Sequence, residues 1–216
     1  FGEMERQKYA GDLKAVDKPF IPSDEFTRLY FKGTTLDELV EYGIKNKRYF
    51  SKDISKSDLD FYKSPSSSEL KKAGIEGKYF FGYYKKWKPQ ENFFYAAENT
   101  GFQPNPERTE GTYSKYASID DKLDGIHYYM KYIKFGFGRA TDDASHEVRD
   151  GHISREEAVS LVKRYDGEFP ERYFQDFLDY LEITSAEFWD IVDTWRPQHL
   201  WEKDKNKWKL KKTVFE

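Results

Sequence analysis

Charged, hydroxyl and glycine residues are most densely mixed between Glu107 and Arg149, and these residue types bind or transform polar ligands. Arginine and lysine side chains could hold phosphate or carboxylate oxygens. Aspartate and glutamate could accept hydrogen bonds from sugar hydroxyls, or act as acid or base. The alternative for the same charges is a set of surface ion pairs, which contribute little to stability. The candidates are Arg108, Glu110, Lys115, Asp121, Lys122, Lys134, Arg139, Asp143, Glu147 and Arg149.

Two shorter patterns leave alternatives open. Gly136-Phe137-Gly138 resembles part of a phosphate-binding glycine loop, but it follows a predicted helix and not a strand, which favours a helix end with a hinge. His146 and His152 could bind a metal, yet their spacing is not His-Glu-x-x-His, and no metal site is predicted. His127 is interpreted as a hydrogen-bonded histidine at the edge of the core, with a general base as the alternative.

A helix is predicted to carry the middle of this stretch. Asp120 and Asp121 would open it, at the end where the helix dipole is positive and carboxylates are stabilised. Apolar residues follow at alternating spacings of four and three, which is typical of one helical face. These residues are Ile119, Leu123, Ile126, Met130 and Ile133.

Helices dominate the rest of the chain, with at most a few short strands. A helix is predicted from Ser23 to Gly33, and others begin at Pro89 and Pro170. The aromatic run from Gly77 to Tyr84 is the best strand candidate, and the basic segment from Lys203 to Lys212 is interpreted as a solvated end. Four capping boxes mark helix starts, at Thr35 with Glu38, Ser66 with Glu69, Ser154 with Glu157, and Thr184 with Glu187.

Composition limits the class of protein. The 216 residues are enough for one large or two small domains, and the aromatic share of 19% supplies a core despite 35% charged residues. The net charge of −3 does not favour a nucleic-acid partner, and no apolar run is long enough for a membrane span. The lack of cysteine excludes disulfides and fits a cytoplasmic protein. Because the sequence begins with Phe1 and not with Met, we expect a piece of a longer protein.

Several longer motifs occur together in one order. The chain resembles the N-acetyl sugar amidotransferase family of bacterial surface-polysaccharide biosynthesis, from about Tyr79 to Trp201 and more weakly towards the start. The motifs that carry the resemblance are Tyr84–Glu91, Asn105–Tyr113, Ser118–Lys122, Ile133–Ala140 and Asp166–Pro170.

The resemblance implies an ATP pyrophosphatase (PP-loop) type of enzyme, with an α/β fold like that of the adenine nucleotide alpha hydrolases. Such an enzyme uses ATP and Mg²⁺ to activate the acetamido carbonyl of a nucleotide-linked N-acetyl sugar. Ammonia from a glutaminase partner then gives an acetamidino group. The products belong to lipopolysaccharide (LPS) O-antigen or to nonulosonic acids such as pseudaminic and legionaminic acid.

The family's Ser-Gly-Gly-x-Asp-Ser loop, which binds the ATP phosphates, is absent from this sequence. The resemblance therefore implies the mainly α C-terminal half of such an enzyme, inactive towards ATP by itself. We predict a lead-in segment with short helices over residues 1–76 and a helical region carrying the motifs over residues 77–216. A helical docking module for the glutaminase or another subunit is the alternative function, and a homo-oligomer is a further expectation.

The motif residues are carried over as site candidates. Glu110, Asp120 and Asp121 are the catalytic candidates, because they could bind hydroxyls or assist the attack of ammonia. The basic residues among the others would bind phosphate or a sugar carboxylate. The substrate-binding candidates are Arg108, Thr109, Tyr113, Lys115, Lys122, Lys134, Arg139, Asp143, Glu147 and Arg149.

Overall fold

The computed structural model describes residues 20–22, 34–46, 56–63, 65–205 and 207–215. The chain divides into two compact units, residues 1–87 and residues 88–216. The predicted division between residues 76 and 77 stays a prediction. The helix predicted from Ser23 to Gly33 lies outside the described residues.

The predicted mainly α fold is confirmed. Nine α-helices, one 3₁₀-helix and four short strands lie in the described part of the chain, and none of these helices has the length and apolar character needed to cross a bilayer. The helices are α1 Leu36–Lys45, the 3₁₀-helix Lys56–Tyr62, α2 Ser67–Lys72, α3 Phe81–Tyr84, α4 Pro89–Asn99, α5 Asp124–Phe135, α6 Arg139–Asp150, α7 Arg155–Tyr165, α8 Phe174–Leu181 and α9 Ser185–Thr194. The strands are β1 Phe20–Pro22, β2 Gly77–Tyr79, β3 Trp201–Asp204 and β4 Lys207–Leu210.

Capping boxes fix the starts of α1, α2, α7 and α9, as predicted. In α1 the Glu38 amide donates to Thr35 Oγ1 over 3.2 Å, and the Thr35 amide donates to Glu38 Oε2 over 2.7 Å. The same reciprocal pair occurs at all four sites. Since each box satisfies two amides that the helix itself leaves unpaired, these starts follow from four-residue patterns alone.

The strand predicted over Gly77 to Tyr84 is shorter than expected. Only Gly77–Tyr79 is extended, and it pairs antiparallel with Phe20–Pro22, with Phe20 opposite Tyr79. Residues Phe81–Tyr84 turn into α3. The aromatic composition fits either element, so the run alone could not place the change.

The larger hydrophobic cluster of the 88–216 unit, called here the aromatic core, lies among α5, α8, α9 and the β3–β4 hairpin. Ile133 and Val192 are completely buried at its centre. Phe188 packs edge-on against Phe174, with ring centroids 4.9 Å apart. The buried members are Ile126, Ile133, Leu178, Phe188, Val192, Trp201 and Leu210.

A second cluster, called here the small-residue core, lies between α6 and α7. Its buried members are Ala144, Ala158 and Val162, with Tyr113 and Ile153 packed against them. Alanine and valine bury little apolar area, so this cluster contributes less hydrophobic free energy than the aromatic core.

The segment interpreted as a solvated end keeps its lysines exposed but forms most of a hairpin that contributes Leu210 to the aromatic core. Strands β3 and β4 pair antiparallel, with Trp201 opposite Leu210, and both side chains are buried. The Trp201 Nε1–H donates to the carbonyl oxygen of Ile133 over 2.7 Å. The lysines that suggested a solvated tail are the outward residues of a hairpin.

Two helix starts differ from prediction. Helix α5 begins at Asp124 and not near Asp120, because Ser118 adopts a left-handed φ of 52° and Asp121 Oδ1 accepts the Leu123 amide over 2.7 Å. Helix α8 begins at Phe174 and not at Pro170. Pro170 is buried against Gly125 of α5, where an added Cβ would lie 2.8 Å from the proline ring.

Candidate functional site

The loop over residues 105–118 lies between α4 and α5 and carries five of the thirteen predicted site residues. Its own hydrogen bonds fold it back on itself. The Asn105 amide donates to the Lys115 carbonyl over 2.9 Å, and the Thr109 amide donates to the Ser114 carbonyl over 2.9 Å. The Thr109 hydroxyl donates to the Ala117 carbonyl over 2.7 Å. These bonds hold the loop in one shape, which a site of fixed geometry requires.

Arg108 anchors this loop to the turn after α7. Its guanidinium makes two hydrogen bonds to the Glu168 carboxylate, one of 2.6 Å between Nη1 and Oε2. Glu168 Oε2 also accepts the Gly111 amide over 2.7 Å. The Arg108 hydrogen bond lowers the pKa of Glu168 below its ordinary value. Arg108 was predicted to bind an anionic ligand, and in this structure the anion is a side chain of the same chain.

Arg139 lies at the centre of a second polar network. Its Nε donates to Asp143 Oδ1 over 2.9 Å, and its guanidinium lies over the Tyr128 ring and donates to the Tyr128 hydroxyl. Asp143 Oδ2 accepts from the Thr112 hydroxyl over 2.6 Å, and Thr112 is completely buried. The network ties the loop to α5 and α6. Arg139 and Asp143 were predicted to bind substrate. In that role each would have to bind the ligand as well as its present partners in the network.

The glycine pattern at Gly136 and Gly138 ends one helix and begins the next. Gly136 closes α5 in the left-handed conformation, with φ of 76°. Asp166 then accepts hydrogen bonds from the Gly138 and Thr141 amides, over 2.9 and 3.1 Å. Because a carboxylate already binds these amides at the start of α6, the geometry favours the helix end with a hinge over the phosphate cradle.

Four of the predicted residues meet in a small depression, called here the Glu110 cleft. The Glu110 carboxylate accepts the Arg172 amide over 3.2 Å, and Arg172 Nη2 contacts Glu107 Oε2 over 2.5 Å. Lys122 Nζ lies 3.3 Å from Asp176 Oδ2 and 5.3 Å from the centre of the Tyr173 ring. The volume is about 40 Å³. The lining residues are Asn105, Thr109, Glu110, Ser118, Asp121, Lys122, Gly125, Ile126, Pro170, Arg172 and Tyr173.

A second cleft, of about 360 Å³, is called here the Glu147 cleft. Tyr116 stacks on Phe93 with centroids 4.5 Å apart, and its hydroxyl donates to Gln90 Oε1 over 2.8 Å. The Tyr113 hydroxyl and Ser114 Oγ are buried without a hydrogen-bond partner in the described chain. The lining residues are Gln90, Phe93, Pro104, Tyr113, Ser114, Lys115, Tyr116, Glu147 and Leu161.

Burial and negative charge dominate the electrostatics of the Glu147 cleft. Burial raises the pKa of Glu147, and the nearby Asp143 carboxylate raises it further. Burial also raises the pKa of Tyr113, together with the charges of Glu147 and Asp143. The cleft therefore disfavours an additional negative charge, and an anionic ligand would be repelled.

Besides Arg108, Arg139 and Asp143, three further predicted residues line neither cleft. Lys134 lies over the Trp195 ring, 4.9 Å from its centre, in a groove formed by the ends of α5 and α9. Asp120 and Arg149 are exposed. Lys115 does line the Glu147 cleft, but its Nζ donates to the Pro106 carbonyl over 2.9 Å.

The histidines are dispersed. His127, interpreted as a residue of the core edge, is exposed on α5. Burial lowers the pKa of His146, and His152 Nε2 lies 3.5 Å from Glu91 Oε1. In the described ranges, no three His, Cys, Asp or Glu side chains are placed to hold one metal ion.

Several residues of the two clefts were not predicted. Arg172 lies 62 positions beyond Glu110, and Gln90 lies 26 positions before Tyr116. Glu168 belongs to a motif quoted above, but its partner Arg108 is 60 positions away. Such distances leave no local pattern, so only the fold could identify these pairs.

Comparison with known families adds one finding. Residues 110–214 match the family described as LPS biosynthesis protein WbpG-like, C-terminal domain. The match covers a little under half of the chain, and it includes Glu110, Asp121 and Glu147 but not Gln90 or Phe93. No curated protein matches the chain. At this coarse level the chain is similar to proteins of LPS biosynthesis, which indicates an enzyme-related role.

Proposed function

We propose that the chain is part of an ATP-dependent amidotransferase of LPS biosynthesis, which converts the acetamido group of a nucleotide-linked N-acetyl sugar to an acetamidino group. The family match over residues 110–214 supports the pathway. The motifs quoted above support the reaction. Ammonia would come from a glutaminase partner, and the use of ATP would place the reaction in the cytoplasm.

We assign the acceptor sugar to the Glu110 cleft. The observation that supports this assignment is the meeting of Thr109, Glu110, Asp121 and Lys122, which are all site residues predicted from the sequence. Two carboxylates and two hydrogen-bonding cations, Lys122 and Arg172, lie at one opening. Since the opening holds only about 40 Å³, a sugar ring would lie across its mouth.

Each charged group has a proposed task. The ammonium of Lys122 would bind a phosphate or carboxylate oxygen of the ligand, because its contact with Asp176 is long and both side chains are exposed. The carboxylates of Glu110 and Asp121 would accept hydrogen bonds from sugar hydroxyls or hold the proton of the attacking ammonia. Arg172 would position Glu110 through its backbone amide.

Three groups that could have bound the phosphates of ATP already have partners within the chain. The amides at the start of α6 are bound by Asp166, and the guanidinium groups of Arg108 and Arg139 are bound by carboxylates. We therefore propose that ATP and Mg²⁺ bind to another part of the enzyme, and we derive no step through them.

Calorimetric titration of the 216-residue chain with a panel of nucleotide-linked N-acetyl sugars, and separately with ATP, tests this proposal. We expect sugar binding without ATP binding. Lys122→Ala should weaken sugar binding by about tenfold, because it removes one charge-assisted contact. Lys134→Ala is the matched control, since Lys134 lies in a different groove and should leave the affinity unchanged. Equal losses in both variants, or no binding of any sugar, would contradict the assignment.

An apolar groove supports the alternative of a docking module. Phe135, Phe137 and Trp195 are 51%, 39% and 47% exposed and line an opening of about 580 Å³ together with Pro197 and Leu200. Exposed apolar patches of this kind often mark protein contacts. The contact could be with the glutaminase or with a second copy of this chain.

Trp195→Ala separates the two functions. If the groove docks a subunit, this variant should lose binding to the purified glutaminase, or dissociate a homo-oligomer in sedimentation analysis, while its sugar affinity stays unchanged. Unchanged association in both assays would exclude the docking role of this groove.

A further inference from the structure

We propose that the Glu147 cleft is a second binding site, distinct from the Glu110 cleft, and that it takes a small organic cation such as an amine or an amidine. The proposal does not depend on the amidotransferase reaction. It is based on the shape, the charges and the unpaired polar atoms of the cleft.

The size and lining of the cleft suit a small organic molecule. Its volume of about 360 Å³ lies within the range of about 300–1,000 Å³ that is typical of small-molecule sites. Rings of Phe93, Tyr113 and Tyr116 supply an aromatic wall, with Pro104 and Leu161 beside it. Aromatic rings attract cations through the negative charge of their faces, so such a wall favours a cation that also has apolar surface.

The wall of the cleft contains buried hydroxyl groups that make no well-formed hydrogen bond in the described chain. Ser114 is only 9% exposed, and its Oγ is buried without a hydrogen-bond partner in the described chain. The buried hydroxyl of Tyr113 makes no well-formed hydrogen bond there either, but it lies close enough to Glu147 to act on the pKa of that carboxylate. A buried unpaired hydroxyl costs about 1–3 kcal/mol. A ligand with N–H donors would remove that cost for Ser114 once its side chain rotates Oγ towards the cleft.

The carboxylates at and near the cleft favour a cation over an anion. Glu147 lines the cleft, and the carboxylates of Asp143 and Asp150 both act on it, with His152 as an opposing group. Lys115 also lines the cleft and keeps its positive charge, but its Nζ donates to the Pro106 carbonyl and forms no ion pair with Glu147 among the described residues. The positive charge of Arg139 is paired with Asp143. A cation beside Glu147 would therefore gain an ion pair in a half-buried position.

The test uses two ligands of nearly equal shape and different charge. Acetamidinium chloride and acetamide are titrated calorimetrically into the 216-residue chain, with sodium chloride keeping the ionic strength equal. We expect acetamidinium to bind at least about tenfold more tightly than acetamide, because only the cation pairs with Glu147. Equal binding of the two ligands, or no binding of acetamidinium, would overturn the proposal.

A variant locates the binding. Glu147→Gln should abolish the preference for the cation, and it should fold, because it removes a half-buried charge that Asp143 repels. A melting curve confirms the fold. Asp121→Asn in the Glu110 cleft is the matched control and should retain the preference. If Glu147→Gln keeps the preference, or if Asp121→Asn loses it, the site is not the Glu147 cleft.

These results are independent of the sugar titration. Loss of sugar binding in Lys122→Ala with retained acetamidinium binding would support both proposals. Acetamidinium binding without any sugar binding would support the cation site and contradict the acceptor site.

Discussion

The two clusters of the 88–216 unit are stabilised by different forces. The aromatic core buries seven residues, all of them leucine, isoleucine, valine, phenylalanine or tryptophan. The small-residue core buries two alanines and one valine. Beside the small-residue core, charged and hydroxyl side chains make the long-range contacts, among them Arg108 with Glu168 and Thr112 with Asp143. The comparison indicates that the region around the Glu147 cleft is held largely by polar bonds, whereas the aromatic core, which the Glu110 cleft borders through Ile126, is held by apolar burial.

The largest effect should come from the aromatic core. Phe188→Ala removes a ring that contacts Phe169, Phe174 and Phe177. We expect a loss of about 3–5 kcal/mol in the free energy of unfolding, from lost burial and the cavity left behind. Urea denaturation measures it. Ile191→Ala, on the same helix but 45% exposed, should cost less than about 1 kcal/mol. Similar costs in both variants would mean that burial does not distinguish this core.

The next effect should come from the ion pair between Arg108 and Glu168. Glu168→Gln replaces the carboxylate that accepts two guanidinium bonds and the Gly111 amide. Because both side chains are about one third exposed, we expect a loss of only about 1–2 kcal/mol at neutral pH. Glu171→Gln, an exposed neighbour, is the control and should have little effect.

The same pair should make stability depend on pH. The pKa of Glu168 is lowered in the folded state, so its contribution is fully present above the unfolded value of about 4.3 and is lost as the pH falls through the folded value. The stability difference between the wild type and Glu168→Gln should therefore be constant from pH 7 to pH 5 and shrink below pH 4. A difference that persists in acid would show that the contact is not ionic.

The N-terminal cap of α7, beside the small-residue core, should make a measurable contribution to stability. Ser154→Ala removes the hydroxyl that accepts the Glu157 amide at the start of α7, over 3.2 Å. We expect a loss of about 1 kcal/mol, measured as a lower melting temperature. Ser160→Ala lies inside the same helix, where its hydroxyl only bonds the Glu156 carbonyl, and it should be nearly neutral.

The smallest effect should be a gain in stability and not a loss. Since burial and Asp143 raise the pKa of Glu147, the charged form is disfavoured in the folded state, and this penalty is present above the folded value. Glu147→Gln should thus raise the melting temperature slightly at pH 7, and the gain should disappear as the pH falls through that value. Glu98→Gln, which is exposed on α4, should change neither the melting temperature at pH 7 nor its dependence on pH. A lower melting temperature for Glu147→Gln at pH 7 would mean that the carboxylate makes a stabilising contact.

Local signals predicted the parts of the fold that local chemistry decides. All four capping boxes are present, because each needs only residues three positions apart. Gly136 adopts the left-handed conformation at the end of α5, where its pattern favoured a helix end with a hinge. The apolar face from Ile126 to Ile133 lies in the aromatic core.

Contacts between distant residues decided most of the rest. The start of α5 moved for a more local reason, because Ser118 turns the chain and its hydroxyl bonds to Asp124, six positions on. The β3–β4 hairpin was missed because its charged residues alternate with only two buried ones, Trp201 and Leu210. Of the candidate site residues, Glu110 and Lys122 do share a cleft, whereas Arg108 is paired with Glu168 within the fold. Charge alone could not distinguish an internal partner from a ligand.

The β3–β4 hairpin also affects how the chain folds while the ribosome is synthesising it. The bond from Trp201 to the Ile133 carbonyl joins residues 68 positions apart, and Leu210 packs beside the same helix end. The inner face of α5 therefore stays partly uncovered on the ribosome until the segment through Leu210 has left the exit tunnel. Contacts of such long sequence separation slow folding and leave apolar surface open to chaperones in the meantime.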